Sequence, residues 1–273
     1  MNIKKEDREL QQRITQLRDY KVVKSNDLIQ RSRFQLSLQE QKIILFMISK
    51  IKPNDEELLF QDFSVMEFCK VCGMDIDSGK NYNNVKTAIQ RLANKSVWLK
   101  EENGTETLIR WINKAWINKK SGLIKIRLDA DLSPYLLQLQ ERFTQYELLY
   151  TLAMKSQYSI RLYELLKSYE WQHKKIFDIN ELKQMLSAEK YTRFPDFKRK
   201  VLDIALRELN DLSDINVFCE IIKEGRRFAK IEFSIVSKEE VDERLQTWAR
   251  IDEIISPAQT SLFDKIEIAE TTV

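Results

Sequence analysis

The fold is decided by one segment in the second half of the chain, Tyr191-Thr-Arg-Phe-Pro-Asp-Phe-Lys-Arg-Lys-Val-Leu-Asp-Ile-Ala-Leu-Arg-Glu-Leu-Asn210. Pro195 and Asp196 favour a helix start, because proline loses no hydrogen bond in the first turn and a carboxylate there complements the helix dipole. The apolar residues that follow recur at three- and four-residue steps and predict one buried stripe, formed by Phe197, Val201, Ile204, Ala205 and Leu209. The cations lie outside this stripe. The segment therefore predicts a helix with a basic exposed face near its start.

Two alternating runs follow this helix and predict a hairpin. Residues 215–222 and 228–236 alternate apolar and polar side chains, and Lys223-Glu-Gly-Arg-Arg227 joins them. A basic helix followed by a basic-tipped hairpin is the arrangement by which a winged helix binds DNA, with the helix in the major groove and the hairpin tip on adjacent phosphates. The predicted DNA contacts are Arg193, Lys198, Arg199, Lys200, Arg207, Lys223, Arg226 and Arg227. The alternative is that the three consecutive cations form only a solvated helix face.

Length and charge limit the class of protein. A chain of 273 residues accommodates two domains. The formal net charge is +3, but residues 239–273 hold nine acids against three cations, so they carry −6 and the preceding residues carry +9. This charge permits nucleic-acid binding without demonstrating it. No apolar run approaches the ~20 residues of a membrane span, and the first residues lack the apolar block of a signal peptide, so we expect a cytoplasmic protein with no membrane partner.

The first half of the chain repeats the pattern of the second. Residues 58–68 match residues 175–182, since in both a short strand leads through a capping residue into a short helix, and a turn, a longer helix and a hairpin follow. Cations on this longer helix and its hairpin are predicted to contact phosphates, namely Lys86, Arg91, Lys95, Lys119 and Lys120. Asn83 and Asn84 on the same helix could instead read adenine.

Other patterns predict the remaining elements. A capping box at Ser37-Leu-Gln-Glu40 starts a buried helix that runs to about Ile51. Strands are predicted at residues 58–60, 97–101, 105–117 and 123–129, and further helices at residues 64–73, 82–92, 134–140, 144–171 and 239–255.

The sequence thus predicts an α+β protein with two tandem winged-helix domains and a helical connection between them. The predicted divisions are a flexible N-terminal segment (1–20), a first domain that contacts phosphates (21–140), a second domain that reads sequence (141–255) and a flexible, disordered acidic C-terminal tail (256–273).

Four short motifs resemble the theta-type plasmid replication initiators, which bind iterons. They are Lys24-Ser-Asn-Asp-Leu-Ile29, Leu36-Ser-Leu-Gln-Glu-Gln-Lys42, Tyr158-Ser-Ile-Arg-Leu-Tyr-Glu-Leu-Leu166 and Pro195-Asp-Phe-Lys-Arg-Lys200, in the order of that family. The match covers about Val22 to Ile235. The resemblance implies that the second domain reads the major groove of directly repeated origin sequences and that the first contacts mainly the DNA backbone.

The same resemblance implies the partners. It implies double-stranded origin DNA, a homodimer that forms through the first domain and represses its own promoter, monomers that act at the origin, and host replication proteins. A winged-helix transcriptional regulator with no replication role is the alternative, and the periodicity of the sequence does not separate the two.

The sequence gives little support for a catalytic site or a metal site. The only histidine is His173, so the chain cannot build the paired-histidine metal site of a rolling-circle nicking initiator. Gly79-Lys-Asn81 lacks the upstream glycine and the following Ser or Thr of a phosphate loop. Cys69 and Cys72 form a CxxC pair, but only Cys219 and the single histidine remain to complete a zinc site, and buried thiols fit the apolar surroundings better. We expect no enzyme activity, no metal and no cofactor.

The segment Gln259-Thr-Ser-Leu-Phe263 resembles the Gln-x-x-Leu-Phe peptide by which bacterial replication proteins dock on the sliding clamp. Gln259 supplies an amide anchor, and Leu262 and Phe263 supply an apolar pair. An exposed apolar pair in a disordered tail has no core to serve, so the position favours docking. The alternative is that Leu262 and Phe263 fold back beside Trp248.

Overall fold

The computed structural model describes residues 20–52, 55–72, 78–101 and 103–255, without the side chains of residues 78–81. Two units follow one another along the chain, and both contain a strand, a short helix, a longer helix and a hairpin in that order, so the predicted α+β class with tandem winged-helix domains is confirmed. The predicted N-terminal segment, apart from Tyr20, and the predicted acidic tail lie outside the described residues.

The first unit begins with a short sheet strand and ends with a hairpin. Its elements are β1 (Lys21–Ser25), α1 (Asn26–Gln30), β2 (Ser32–Arg33), α2 (Leu38–Ser49), β3 (Gln61–Ser64), α3 (Val65–Val71), α4 (Ser78–Ala93), β4 (Ser96–Lys100), β5 (Glu106–Arg110), β6 (Ile112–Ile117) and β7 (Leu123–Leu128). Two antiparallel sheets form, in the strand orders β3-β7-β6 and β2-β4-β5.

The second unit follows a short connecting region. The elements are α5 (Ser133–Leu136), β8 (Phe143–Glu147), α6 (Leu149–Leu152), α7 (Gln157–Lys167), β9 (Lys174–Asp178), α8 (Ile179–Met185), α9 (Phe194–Phe197), a π-helical turn (Lys198–Leu202), α10 (Asp203–Leu212), β10 (Ile215–Glu224), β11 (Arg227–Ser237) and α11 (Val241–Ile255). Its sheet has the order β9-β11-β10, which repeats the β3-β7-β6 order of the first unit. The predicted repeat is therefore present in the strand topology.

Helix α2 is the buried spine of the first unit, as its apolar sequence predicts. The predicted capping box is present, because the Ser37 backbone N–H donates to Glu40 Oε2 at 2.7 Å and the Glu40 N–H donates to Ser37 Oγ at 3.4 Å. Phe46 on this helix packs edge-on against Phe63 and Phe68, with ring centroids 5.2 and 5.7 Å apart. This packing holds α3 and the β3-β7-β6 sheet on α2.

The predicted helix at residues 144–171 is wrong in its first part. Residues Phe143–Glu147 form strand β8, which pairs antiparallel with β1 in the register Lys21↔Glu147. Thr144 and Tyr146 are buried whereas Gln145 is exposed, so burial alternates with a period of two residues. Pairing with β1, about 120 residues earlier in the chain, outweighs the helical signal of the sequence. Because this sheet joins residues on both sides of the proposed boundary at residue 140, that boundary stays a prediction.

Three other boundaries differ from the predicted ones. The strand expected at residues 58–60 lies at Gln61–Ser64, where it pairs with β7. The expected strand at residues 105–117 is divided at the buried Trp111, which packs edge-on against Phe34 at 5.2 Å, so β5 and β6 belong to different sheets. The helix expected at residues 134–140 ends at Leu136.

Candidate nucleic-acid interface

The predicted basic helix is one helix in three parts, α9, the π-helical turn and α10, and we call it the basic helix. Arg193 is the N-cap, and Pro195 lies in the first turn, as the sequence predicts. Phe197, Val201, Ala205 and Leu209 are fully buried and Ile204 is half-buried, so the apolar stripe anchors the basic helix to the second domain. The opposite side of the helix is left to solvent.

The π-helical turn is the part of the basic helix that sequence reasoning missed. The backbone N–H of Asp203 donates to the carbonyl of Lys198, a five-residue step in place of the usual four. Turns of this kind are rare and occur frequently at functional sites. The turn spans Lys198, Arg199 and Lys200, so the three predicted contact residues occupy the one widened turn of the helix.

Two of these cations carry carboxylate partners of their own. Lys198 Nζ lies 2.6 Å from Asp203 Oδ1, and Arg199 Nη2 lies 3.5 Å from Asp196 Oδ1. The Arg199 side chain is 73% exposed, and exposed pairs of this kind contribute at most about 1 kcal/mol. Both cations can therefore exchange their carboxylates for DNA at little cost. The other predicted contacts on this helix are exposed and have no ion pair to any described residue. They are Arg193, Lys200 and Arg207.

The hairpin of β10 and β11 is the predicted wing. Its tip turns at Gly225, whose φ of +64° is adopted by glycine without the strain that a side chain would bring. Lys223, Arg226 and Arg227 are exposed around this tip.

The wing and the start of the basic helix are in direct contact. Phe228, one residue into the return strand, stacks on Phe194 with ring centroids 4.4 Å apart and an interplanar angle of 24°. Lys223 Nζ lies 4.9 Å from the centroid of the Phe228 ring. The stack fixes the wing cations relative to Arg193 and the π-helical turn, so the two predicted contact groups form one basic surface.

The first-domain cations lie on the equivalent elements. Lys86 and Arg91 are exposed on α4, and Lys119 and Lys120 are exposed in the β6–β7 turn. Lys95 differs from these four, because its Nζ lies 2.7 Å from the buried Glu40 Oε2 and its side chain is 34% exposed. Its ammonium therefore contacts the Glu40 carboxylate of the α2 capping box.

A buried polar cluster, which sequence reasoning also missed, joins the two units. Arg161 on α7 is buried, and its guanidinium donates to the Ile29 carbonyl at 2.7 Å, to Ser32 at 3.1 Å and to the Met185 carbonyl at 3.2 Å. Burial lowers the pKa of Arg161 to about 10, which leaves it charged at neutral pH. The sequence of α7 carried no signal of this cluster, because Arg161 stands among Ser159, Glu164 and Lys167 as a surface arginine would.

Glu164, one turn along α7, balances this charge. Its Oε1 accepts from Lys24 Nζ at 2.5 Å and from the Tyr146 hydroxyl at 2.6 Å. Burial lowers the pKa of Lys24, and burial together with the Glu164 carboxylate raises the pKa of Tyr146 well above its ordinary range. Lys24, Arg161 and Glu164 belong to segments that carried the family resemblance, so part of that resemblance lies in this buried cluster.

Models of the initiator replication proteins match both units. The model described as "Initiator Replication protein, WH1" matches residues 21–167, so this match extends through α5, β8, α6 and α7 of the second unit. The model described as "Initiator Rep protein, WH2" matches residues 178–235. The chain belongs to the initiator replication protein family. The two matched domains are winged helices by description and by the topology described above.

One named protein and one solved structure are also similar to this chain. The PI protein of Escherichia coli is 31% identical over 152 residues, which cover 49% of this chain and 49% of that protein. The crystal structure of the Pi initiator protein in complex with iteron DNA matches with a TM-score of 0.67 and 22% identity, over 82% of this chain and 99% of that one. At this identity the structural match shows the shared fold.

Cys69 and Cys72 are buried free thiols, and burial raises the pKa of Cys69 to about 11. Among the described residues, no three His, Cys, Asp or Glu side chains are grouped so that they could hold a metal ion. None of the described helices combines the length and the apolar character that crossing a membrane requires.

Proposed function

We propose that this protein initiates the replication of a plasmid by binding directly repeated origin sequences, the iterons. The observation that carries the proposal is the match of both winged-helix domains to the initiator family. The Pi initiator, whose fold this chain shares, is crystallised with iteron DNA. The joined surface of basic helix and wing supplies the chemistry, because it offers arginines to base edges and cations to phosphates.

The test is footprinting on the DNA that flanks the gene. We expect protection of short direct repeats, and a fragment in which the repeats are scrambled at constant composition should bind only as non-specific DNA does. Protection outside repeated sequences, or equal affinity for both fragments, would contradict iteron binding. The protein is expected to act by binding, so supercoiled origin DNA should not be nicked.

Within this function the two domains divide the work. The second domain reads sequence through Arg199 and its neighbours, whereas the first domain adds affinity through phosphate contacts from Lys86, Arg91, Lys119 and Lys120. Substituting base pairs under the second domain should therefore cost more binding free energy than substituting those under the first. Asn83 and Asn84 on α4 are the residues that would reverse this order if they read adenine.

The protein forms homodimers through its first domain, represses its own promoter as a dimer, and acts in the cytoplasm, where it recruits host replication proteins at the origin. Membership of the initiator family supports these properties. Sedimentation velocity of the full chain across a range of concentrations tests the dimer, since a single concentration-independent species would contradict it.

The host partner with a sequence basis is the sliding clamp. Gln259, Leu262 and Phe263, which lie outside the described residues, match the docking peptide. A labelled peptide spanning residues 256–267 should bind a bacterial clamp by fluorescence polarisation. Alanine at both Leu262 and Phe263 should abolish this binding, and alanine at the two intervening positions, Thr260 and Ser261, should not. Equal binding by both peptides would remove the assignment.

A further inference from the structure

Helix α11 carries apolar side chains that lie outside the core. The residues that face the second domain are buried, namely Thr247, Ile251 and Ile255. Beside this buried side, Val241 and Leu245 are 60% and 51% exposed. Trp248, which is half-buried, continues them at the next helical step. Steps of four and three residues place these three side chains on one side of α11, and we call them the α11 stripe.

The α11 stripe lies near the point where the N-terminal segment joins the described part of the chain. Trp248 Nε1 donates to the Tyr150 hydroxyl at 3.2 Å. Two residues before Tyr150, the backbone N–H of Leu148 donates to the carbonyl of Tyr20 at 2.9 Å. Tyr20 is the first described residue. The residues that precede Tyr20 therefore start close to Trp248.

The N-terminal segment, whose residues 1–19 lie outside the described part of the chain, offers a stripe of the same spacing. Leu10, Ile14 and Leu17 follow one another at steps of four and three residues, as the members of the α11 stripe do. This pattern predicts an amphipathic helix, which is marginal alone and is stabilised by packing. Both stripes would be about 10 Å long as helices. Leu17 is three residues from Tyr20, a span of at most about 10 Å, so it can reach Trp248.

Charge favours this pairing. Residues 239–255 hold six acids and two cations, whereas residues 1–19 hold five cations and four acids. With the two stripes aligned from Trp248 towards Val241, the acids that precede α11 meet the most basic part of the N-terminal segment. The acids are Glu239 and Glu240, and the cations are Lys4, Lys5 and Arg8. Complementary charge of this kind selects the partner and its orientation.

The acidic tail fits the α11 stripe less well. It follows Ile255, which is about 20 Å along the helix from Val241. Residues 256–273 hold three acids and one cation, so they repel the acidic residues around α11. Position and charge therefore both favour the N-terminal segment over the tail.

We propose that the N-terminal segment packs as a helix on α11, with Leu10, Ile14 and Leu17 against the α11 stripe. This docking replaces the expectation of a flexible segment. It connects β1 of the first unit to α11 of the second, which adds a link between the units besides the buried cluster. It also covers apolar side chains that would otherwise favour association with other proteins. The contact lies within one chain and does not depend on DNA binding.

Disulfide trapping in the full chain tests this contact. A disulfide requires Cα atoms about 4.4–6.8 Å apart, so it forms readily only between side chains that touch. In a Cys219→Ser background, which leaves only buried native thiols, Ile14→Cys with Leu245→Cys should form an internal disulfide under mild oxidation. Non-reducing electrophoresis detects it as a faster band. The matched control is Gln12→Cys with Leu245→Cys, which should react several-fold less because Gln12 falls on the opposite side of the predicted helix.

A second measurement leaves the N-terminal segment unchanged and alters only α11. Leu245→Asp should speed tryptic cleavage after Arg18 about fivefold or more, because lost docking raises the population in which the segment is accessible. Gln246→Asp is the matched control, since Gln246 is exposed beside the α11 stripe and gains the same charge. It should leave the cleavage rate unchanged. Circular dichroism on heating checks that both variants are folded.

Four results would overturn the proposal. Equal internal trapping of Ile14→Cys and Gln12→Cys would show a segment that samples the surface without docking. A disulfide that joins two chains would assign the α11 stripe to a second copy of the protein. Faster trapping of Leu245→Cys by Leu262→Cys than by Ile14→Cys would assign the stripe to the acidic tail. The fourth result is an unchanged rate of cleavage after Arg18 in Leu245→Asp.

Discussion

Replacing Arg199 with alanine tests whether the π-helical turn reads sequence. The side chain is 73% exposed and its one carboxylate contact, with Asp196, is long at 3.5 Å, so the substitution should lower the free energy of unfolding by less than about 1 kcal/mol. An arginine that contacts a guanine through two hydrogen bonds contributes about 1–3 kcal/mol of discrimination. We therefore expect affinity for the iteron duplex to fall roughly 5- to 150-fold, with much smaller loss on unrelated duplex.

The assay is a set of equilibrium titrations on iteron duplexes that each carry one substituted base pair. For the unmodified protein, one position should show a large penalty that disappears in Arg199→Ala, because the variant no longer distinguishes the bases there. Arg250→Ala is the matched control, since Arg250 is also an exposed arginine (59%) and pairs with Asp211 at the far end of the basic helix. It should leave every penalty unchanged. If Arg199→Ala retains the full penalty at all positions, the basic helix does not read bases through this residue and the reasoning fails.

Three further predictions concern the wing, the buried cluster and alkaline pH. Alanine at both Arg226 and Arg227 should weaken all duplex sequences alike and reduce the slope of log K against log salt by about 1.8, and an unchanged slope in salt titrations would show that the wing does not contact phosphates. Arg161→Ala should lower the free energy of unfolding, measured in urea, by about 3–5 kcal/mol, because it leaves buried carbonyls and Glu164 without their cation, and a loss below about 1 kcal/mol would contradict the role of the cluster. Burial raises the pKa of Cys69 from 9.0 to about 11, so the thiol loses its proton at lower pH in the unfolded chain than in the folded protein. The free energy of unfolding should therefore fall as the pH rises from 9 towards 11. Urea unfolding at both ends of this range measures the change, and constant stability would contradict the prediction.

The sequence was most informative where the signal is local. Three predicted patterns each span only about ten residues, and each is present in the structure. They are the apolar stripe of the basic helix, the capping box at Ser37 and the alternation of the wing strands. The basic surface could be predicted for the same reason, since its cations lie off a stripe that the periodicity defines.

Features that depend on distant partners could not be predicted in this way. Strand β8 exists because β1 supplies its hydrogen bonds, and nothing within residues 143–147 specifies that partner. The π-helical turn adds one residue to a turn without changing which residue types are buried. Arg161 looks like a surface arginine in the sequence, and only the fold shows that three backbone carbonyls of two different units converge on it.

The buried cluster also affects how the two proposed DNA-binding surfaces act together. Arg161 links α1 and β2 of the first unit to the Met185 carbonyl at the end of α8, and Ser187 Oγ donates to the Phe34 carbonyl at 2.6 Å two residues later. The chain enters the basic helix only seven residues after Ser187. These contacts tie the first unit directly to the segment that leads into the basic helix. Since buried, hydrogen-bonded charges resist rearrangement, the position of α4 and of the β6–β7 turn follows from the placement of the basic helix on DNA. If the second domain reads sequence as proposed, we expect that reading to set where the first domain meets the phosphates.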